Sequence, residues 1–343
     1  MSTRPVPIGG PWFEDLHHGQ VFDDAPAVTL TSGHAAVHGA VFGDRLRLPL
    51  DAELCRAVTG HDRPLAHPSL VCNLAIGQTT VPSTRVIGNL FYRGLVLQRP
   101  VHLGDTLRTT TKIVALRQNA RRPDRPATGL AVFEIHVANQ RGETVLRFWR
   151  CPMLPCRSPE VETGHADALE RIEAAIDLEQ LRSAVPTGWR LDAFRERVPG
   201  AHFDALEPGT QCRVESRDTV TCAPEIARMT LNVAGAHTDA GASHHGRRLV
   251  YGGHAISTAA AQLVRALPNL VTLLAWRSCD HTAPVFEGDV LRSEIDVEAK
   301  HPLANGGGLV DFRARVHAER GPQSPDPGTE IQVLDWRAVG LMA

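Results

Sequence analysis

The nine residues Pro100-Val-His-Leu-Gly-Asp-Thr-Leu-Arg108 return 184 positions later as Pro284-Val-Phe-Glu-Gly-Asp-Val-Leu-Arg292, with six of the nine identical. Phe13-Glu-Asp-Leu-His-His-Gly19 has its echo in Phe203-Asp-Ala-Leu-Glu-Pro-Gly209, and Pro64-Leu-Ala-His-Pro68 lies in register with Leu249-Val-Tyr-Gly-Gly253. Three blocks repeated in one order at nearly constant offset restrict the chain to two copies of a single domain. Its length of 343 residues agrees, since a domain takes about 150 residues. The copies fall at residues 1–152 and 201–343. The stretch between them, 153–200, is rich in Glu, Asp and Ala and carries a helical pattern over 166–184, which marks a connecting segment.

Each copy repeats one order of elements. An apolar stretch of small residues with helical spacing (69–80 and 254–267) precedes strands rich in β-branched and aromatic residues. The strands are expected over 108–116, 129–139 and 144–153 in the first copy. In the second they are expected over 271–278, 290–297, 308–317 and 330–339. The second apolar stretch stops at Leu267-Pro268-Asn269, where proline ends the hydrogen-bond ladder. One helix followed by antiparallel strands is an α+β layer in which a curved sheet wraps a helix, and the free sheet edges of two copies can pair.

Composition excludes several classes. With 43% hydrophobic and 22% charged residues, the chain is globular rather than disordered. A net charge of −2, with basic runs no longer than pairs such as Arg121-Arg122, leaves no footprint for nucleic acid. No segment approaches the ~18 apolar residues of a membrane helix, and the start MSTRPVPIGGPWFEDL has no apolar leader, so a cytoplasmic location is expected. Seven scattered cysteines without a C-x-x-C pair point to free thiols rather than a disulfide framework or zinc site. His244-His245 lacks a third ligand at suitable spacing, and no metal is expected. Neither a P-loop nor a G-x-G-x-x-G after a strand is present, so no nucleotide cofactor is expected.

The repeated helix-in-sheet unit and the Gly-Asp-x-Leu strand start resemble the MaoC-like, double hotdog (R)-enoyl-CoA hydratases and dehydratases. So does the block Asn232-Val-Ala-Gly-Ala-His237-Thr-Asp239, followed by Arg248-Leu-Val-Tyr-Gly-Gly-His254. Within that family the likeness is greatest to the mesaconyl-CoA hydratase branch and its uncharacterised actinobacterial relatives, and it covers nearly the whole chain. The resemblance implies a double hotdog fold and the reversible addition of water to a 2-enoyl-CoA. Coenzyme A then enters only as part of the substrate, and an acyl-CoA thioester is the expected partner. A homodimer of the double hotdog is possible, and neither nucleic acid nor membrane is implied as a partner.

The family motif G-D-x-N-P-L-H-x-D sets a carboxylate five residues before a histidine. The chemistry explains the spacing, because one water has to be held for addition across C2=C3 while the thioester oxygen receives a donor. The second copy keeps His237, Asp239 and Gly253 at matching positions, with Asn232 in place of the aspartate and Ala234 in place of the asparagine. The resemblance therefore implies His237 as base, Asn232 as water-positioning amide and the Gly253 N–H as oxyanion donor. Gly252 and Asp239 would support them, and Arg247, Arg248 and Arg93 are candidates for coenzyme A phosphates. Bland alternatives stand beside each of these. Asn232 suits a turn, Asp239 a cap, the glycines a tight strand-to-helix turn, and the arginines solvated charge. In the first copy Gly43-Asp44 matches the motif's opening, but Pro49 takes the histidine's place and Pro68 the helix-start glycine's. Asp44 and His67 there read as relics or pocket-wall groups, and that copy is left to enclose the acyl chain. A non-catalytic acyl-CoA binding protein is the alternative. A hotdog thioesterase fits less well, for want of a carboxylate between His254 and Leu267.

Overall fold

A computed structural model describes residues 8–122, 125–172 and 175–343, so positions 1–7 of the stretch read above for targeting lie outside the described residues. The first half holds β1 (Val21–Phe22), β2 (Val28–Thr29), α1 (Ser32–Phe42), α2 (Arg47–Leu50), α3 (Ala52–Thr59), α4 (Pro68–Gln78), β3 (Gly88–Leu97), β4 (Thr106–Gln118), β5 (Thr128–Ala138) and β6 (Thr144–Pro155). The connector adds α5 (Leu178–Ala184) and α6 (Leu191–Arg197). The second half holds β7 (Gln211–Arg213), β8 (Asp218–Thr219), α7 (Ala223–Met229), α8 (Gly252–Ala266), β9 (Leu270–His281), β10 (Val290–Pro302), β11 (Gly308–Glu319) and β12 (Glu330–Met342).

The strands form one sheet in the order β1-β4-β5-β6-β3-β9-β12-β11-β10-β7. Its central seam is the antiparallel pair β3–β9, with Tyr92 opposite Cys279 and Leu95 opposite Trp276. Tyr92 and Trp276 are 184 residues apart, as are Leu95 and Cys279, so the seam maps onto itself under the repeat. Helices α4 and α8 lie side by side inside the sheet. Every residue of α4 is buried, Ser69, Asn73 and Gln78 included, as befits a helix with apolar residues on every face. Asn73 Nδ2 on α4 donates to Ser257 Oγ on α8 at 2.9 Å, and these residues too are 184 apart, which puts their contact on the pseudo-two-fold axis. Gly77 is required nearby, since a Cβ there would lie 2.0 Å from the Thr230 carbonyl oxygen.

The α+β layout expected from the repeat, and the double hotdog that the family resemblance implies, are therefore what is found, and the strands run where the β-branched stretches lie. Three details differ. The helical pattern over 166–184 resolves into a 3-10 turn at Leu169–Arg171 and the separate helix α5, which begins where the Asp177 side chain accepts the Gln180 N–H. Strand β3 carries no alternation that would reveal it, because it is paired on both edges and its register against β6 shifts twice. Finally, the bridges Leu65–His102 and Leu249–Phe286 are related by 184. That offset sets Pro68, the first residue of α4, against Gly252, the first residue of α8. The register that matched Pro68 with Gly253 is one residue out.

Candidate active site

Helix α7 ends at Met229, and Leu231 then takes a left-handed backbone with φ +59°. A leucine held there costs ~1 kcal/mol relative to glycine. The turn delivers Asn232, whose Oδ1 accepts the Ala234 N–H at 2.9 Å while its Nδ2 is buried without a partner. The first half builds the same turn from Gly43 at φ +57°, followed by Asp44, whose Oδ1 accepts the Leu46 N–H. Asn232 thus occupies the place of a carboxylate by geometry as well as by motif.

His237 closes a 3-10 turn over Gly235–His237. Its Nδ1 lies 2.8 Å from the Leu249 carbonyl oxygen. A carbonyl only accepts, so Nδ1 carries the proton and Nε2 is left with a lone pair. Burial lowers the His237 pKa to about 4; the Leu249 bond opposes this and the positive charge of Arg150 adds to it. The imidazole is therefore a neutral acceptor at neutral pH. The buried Tyr251 ring packs 5.7 Å from it and donates its hydroxyl to the Asn73 carbonyl, and burial keeps that phenol protonated.

At the start of α8 the two glycines face different ways. Gly252 lines the cavity, and a Cβ there would lie 2.7 Å from His281 Nε2. Gly253 turns toward α4, where a Cβ would meet Asn73 Oδ1 at 2.2 Å. Among the described residues the N–H groups of both glycines lack an acceptor, as expected in a first helical turn, where the dipole is positive. His281 is itself neutral, with burial lowering its pKa to about 4, and its Nε2 is without a partner.

These groups surround a cavity of about 320 Å³ that draws on both halves. Asn232, His237, His245, Tyr251, Gly252 and His281 come from the second half. Ile76, Val86, Leu90, Tyr92, Arg150 and Met153 come from the first. No carboxylate is among the lining residues. The pseudo-equivalent place, beside Ala66, Pro68, Val71 and Val101, retains only about 30 Å³, with Ala184, Pro186 and Trp189 of the connector closing it.

No protein-family model matches the chain. Among solved structures, a conserved hypothetical protein of Mycobacterium tuberculosis with a double hotdog fold is 47% identical. It matches over 98% of this chain and 100% of its own, with a TM-score of 0.88. A putative MaoC domain protein dehydratase from Chloroflexus aurantiacus is 27% identical over 100% and 99% of the two chains, with a TM-score of 0.79. The chain belongs to the MaoC-like double hotdog family. Curated relatives of this double hotdog protein include the β-methylmalyl-CoA dehydratase of Chloroflexus aurantiacus, 29% identical over 93% of this chain and 90% of the relative. The mesaconyl-CoA hydratase of Cereibacter sphaeroides is 27% identical over 87% and 86%.

Of the residues singled out in the sequence, Asn232, His237 and Gly252 meet at the cavity of this double hotdog, and the others lie elsewhere. Gly253 is packed on α4. Asp239 is exposed and accepts the Gly241 N–H as the cap of a 3-10 turn, its structural alternative. Arg93 is tied into the seam by an ion pair with Asp280 and does not line the cavity. Arg248 pairs with Glu287, whereas Arg247 stacks 3.5 Å over the Phe286 ring. Asp44 is withdrawn into a buried pair with His67, Oδ2 to Nε2 at 3.0 Å. Burial works to raise its pKa, but His67 and the Leu46 N–H hold it below the usual carboxylate value. Arg150, Tyr251 and His281 were not anticipated. Arg150 had a signal: in Leu146-Arg-Phe148-Trp-Arg150 it falls in phase with the inward leucine and phenylalanine.

Proposed function

We propose that the chain adds water reversibly to a 2-enoyl-CoA thioester, giving the (R)-3-hydroxyacyl-CoA. The observation that carries this reading is the pairing of an unprotonated Nε2 on His237 with the unpartnered Nδ2 of Asn232 at one cavity. The amide N–H donates to the water oxygen and the imidazole accepts a water proton, so the hydroxide equivalent is held and activated together. As it bonds to C3, the C2=C3 electron pair moves toward the thioester oxygen. There the charge meets the Gly252 N–H at the positive end of α8, which replaces Gly253 in this role. The imidazolium then returns its proton to C2, and the C–O bond and C–H bond formed account for both parts of the water. An amide neither takes up nor gives up a proton near neutral pH, so His237 performs both transfers. The acyl chain lies against Ile76, Val86 and Leu90 of the first half, and a single chain completes the cavity. The reaction uses these side chains together with the coenzyme A of its substrate. The curated relatives are named for hydration or dehydration of coenzyme A thioesters, which supports the class of reaction.

The absence of a carboxylate from the cavity favours a second reading, an acyl-CoA binding protein on the same fold. Loss of the conjugated enoyl-thioester absorbance distinguishes the two. His237→Ala is expected to slow turnover by ~10²-fold, the usual scale for a general acid/base group. Coenzyme A thioester binding without turnover in the unaltered protein sinks the hydratase reading.

A further inference from the structure

The cavity contains one feature that hydration of a plain enoyl chain leaves unused. Arg150, on β6, is 3% exposed and lines the cavity. One of its terminal nitrogens, Nη2, donates to the Thr79 carbonyl at 2.9 Å and to Ser83 Oγ at 2.6 Å, which fixes the guanidinium against the end of α4. Its flat face lies 5.0 Å over the Phe133 ring. Its Nε is buried without a hydrogen-bond partner, and among the described residues no carboxylate lies within ion-pairing distance. Burial accordingly lowers its pKa. The other buried arginine among the described residues, Arg320, is answered by Asp289. A buried cation without a counter-charge is costly, and the usual resolution is an anion brought by a partner. The pseudo-equivalent strand position, opposite Trp276 as Arg150 is opposite Tyr92, is Ala338, so the arginine is present only where the cavity is open.

We propose that Arg150 is a specificity-determining residue that reads a carboxylate on the acyl group, so that the preferred ligand is a carboxylated enoyl-CoA. This rests on the thioester reading of the cavity. Asn232 and His237 present an amide and a neutral imidazole, and the remaining wall of the first half, Thr80, Asn89 and Tyr92 among apolar side chains, is uncharged, which leaves the guanidinium as the one positive group at the acyl end. A carboxylate satisfies it with charge-assisted bonds in a planar fork. An uncharged acyl chain leaves it unpaired, which is the strongest form of rejection a pocket has.

Calorimetric titration with mesaconyl-CoA, whose acyl group ends in a carboxylate, and with crotonyl-CoA, whose acyl group has none, tests the assignment. The unaltered protein is expected to bind mesaconyl-CoA at least tenfold more tightly. That ratio should fall toward one in Arg150→Met and be partly kept in Arg150→Lys. Equal affinities in the unaltered protein, or an undiminished ratio in Arg150→Met, overturn the proposal. The comparison within the unaltered protein does not depend on any variant folding. Turnover is followed in parallel: its absence with both thioesters counts against hydration, while the affinity ratio still decides the role of Arg150.

Discussion

The N–H that begins α8 can be removed without removing anything else, because the fold has already made the same substitution once. Pro68 occupies the first position of α4, the counterpart of Gly252, and proline is well accepted there since its missing N–H has no helical partner. Gly252 is not among the glycines with positive φ, so a pyrrolidine ring fits its backbone. A Cβ at this position would approach His281 Nε2 to 2.7 Å, which makes Gly252→Ala the proper control. Both variants crowd His281, and only proline deletes the N–H. A preorganised donor to an oxyanion is worth ~3 kcal/mol, which at 1.36 kcal/mol per decade is ~10² in rate. Steady-state loss of enoyl-thioester absorbance should therefore show Gly252→Pro slower than Gly252→Ala by about two decades in kcat. Circular dichroism and thermal unfolding should match between the two variants. A folded Gly252→Pro within threefold of Gly252→Ala would refute the donor.

Asn232→Asp supplies the carboxylate at its motif position and a second proton carrier beside His237, so turnover of crotonyl-CoA should rise severalfold; an unaltered rate favours the binding reading. The pH dependence follows from buried imidazoles. His38 is lowered to about 3, and His237 and His254 to about 4, with burial the largest cause in each. Below pH 6.5 the unfolded chain takes up protons that the folded one refuses, so stability present at pH 7 is lost as the pH falls toward 4. The loss is up to ~1.4 kcal/mol per pH unit for each histidine. Thermal midpoints should drop by several degrees between pH 7 and pH 5, and a flat profile contradicts the assignment. Since His237 stays unprotonated to about pH 4, kcat/KM of the folded protein should hold level from pH 7.5 to 5 instead of halving near 6.5. Gly77→Ala drives a Cβ into the Thr230 carbonyl and should cost ~1–3 kcal/mol, read as a lowered denaturant midpoint.

Much of this was legible in the residues themselves. The repeat carried the duplication, because equivalent turns need equivalent residues. Asp105 and Asp289 each accept a backbone N–H three residues earlier, from His102 and Phe286. The pairing of Asn232 with His237 was readable because both sit on one short loop. Residues brought by distant strands were not. Arg150 and His281 reach the cavity through β6 and β9, and only the register of the seam says that they share it. The one-residue slip at Gly252 arose because two adjacent glycines look alike in sequence. Only the packing of Asn73 against one of them, and of His281 against the other, tells them apart.

Two identical subunits joined across such a seam would make every change twice. An arginine placed in one cavity would also be placed in the other, and the assembly would bear two uncompensated guanidiniums before any ligand arrived. Fusion lifts that obligation. With Ala338 opposite Trp276 in one half and Arg150 opposite Tyr92 in the other, the chain exposes itself to the penalty once, on the side where a ligand can relieve it. The opposite recess is free to be stoppered by Trp189 and Pro186. Duplication here works as a licence for asymmetry. An engineer wishing to fit this scaffold to another acyl group has one wall to redraw, and a spare recess behind a tryptophan in which to try.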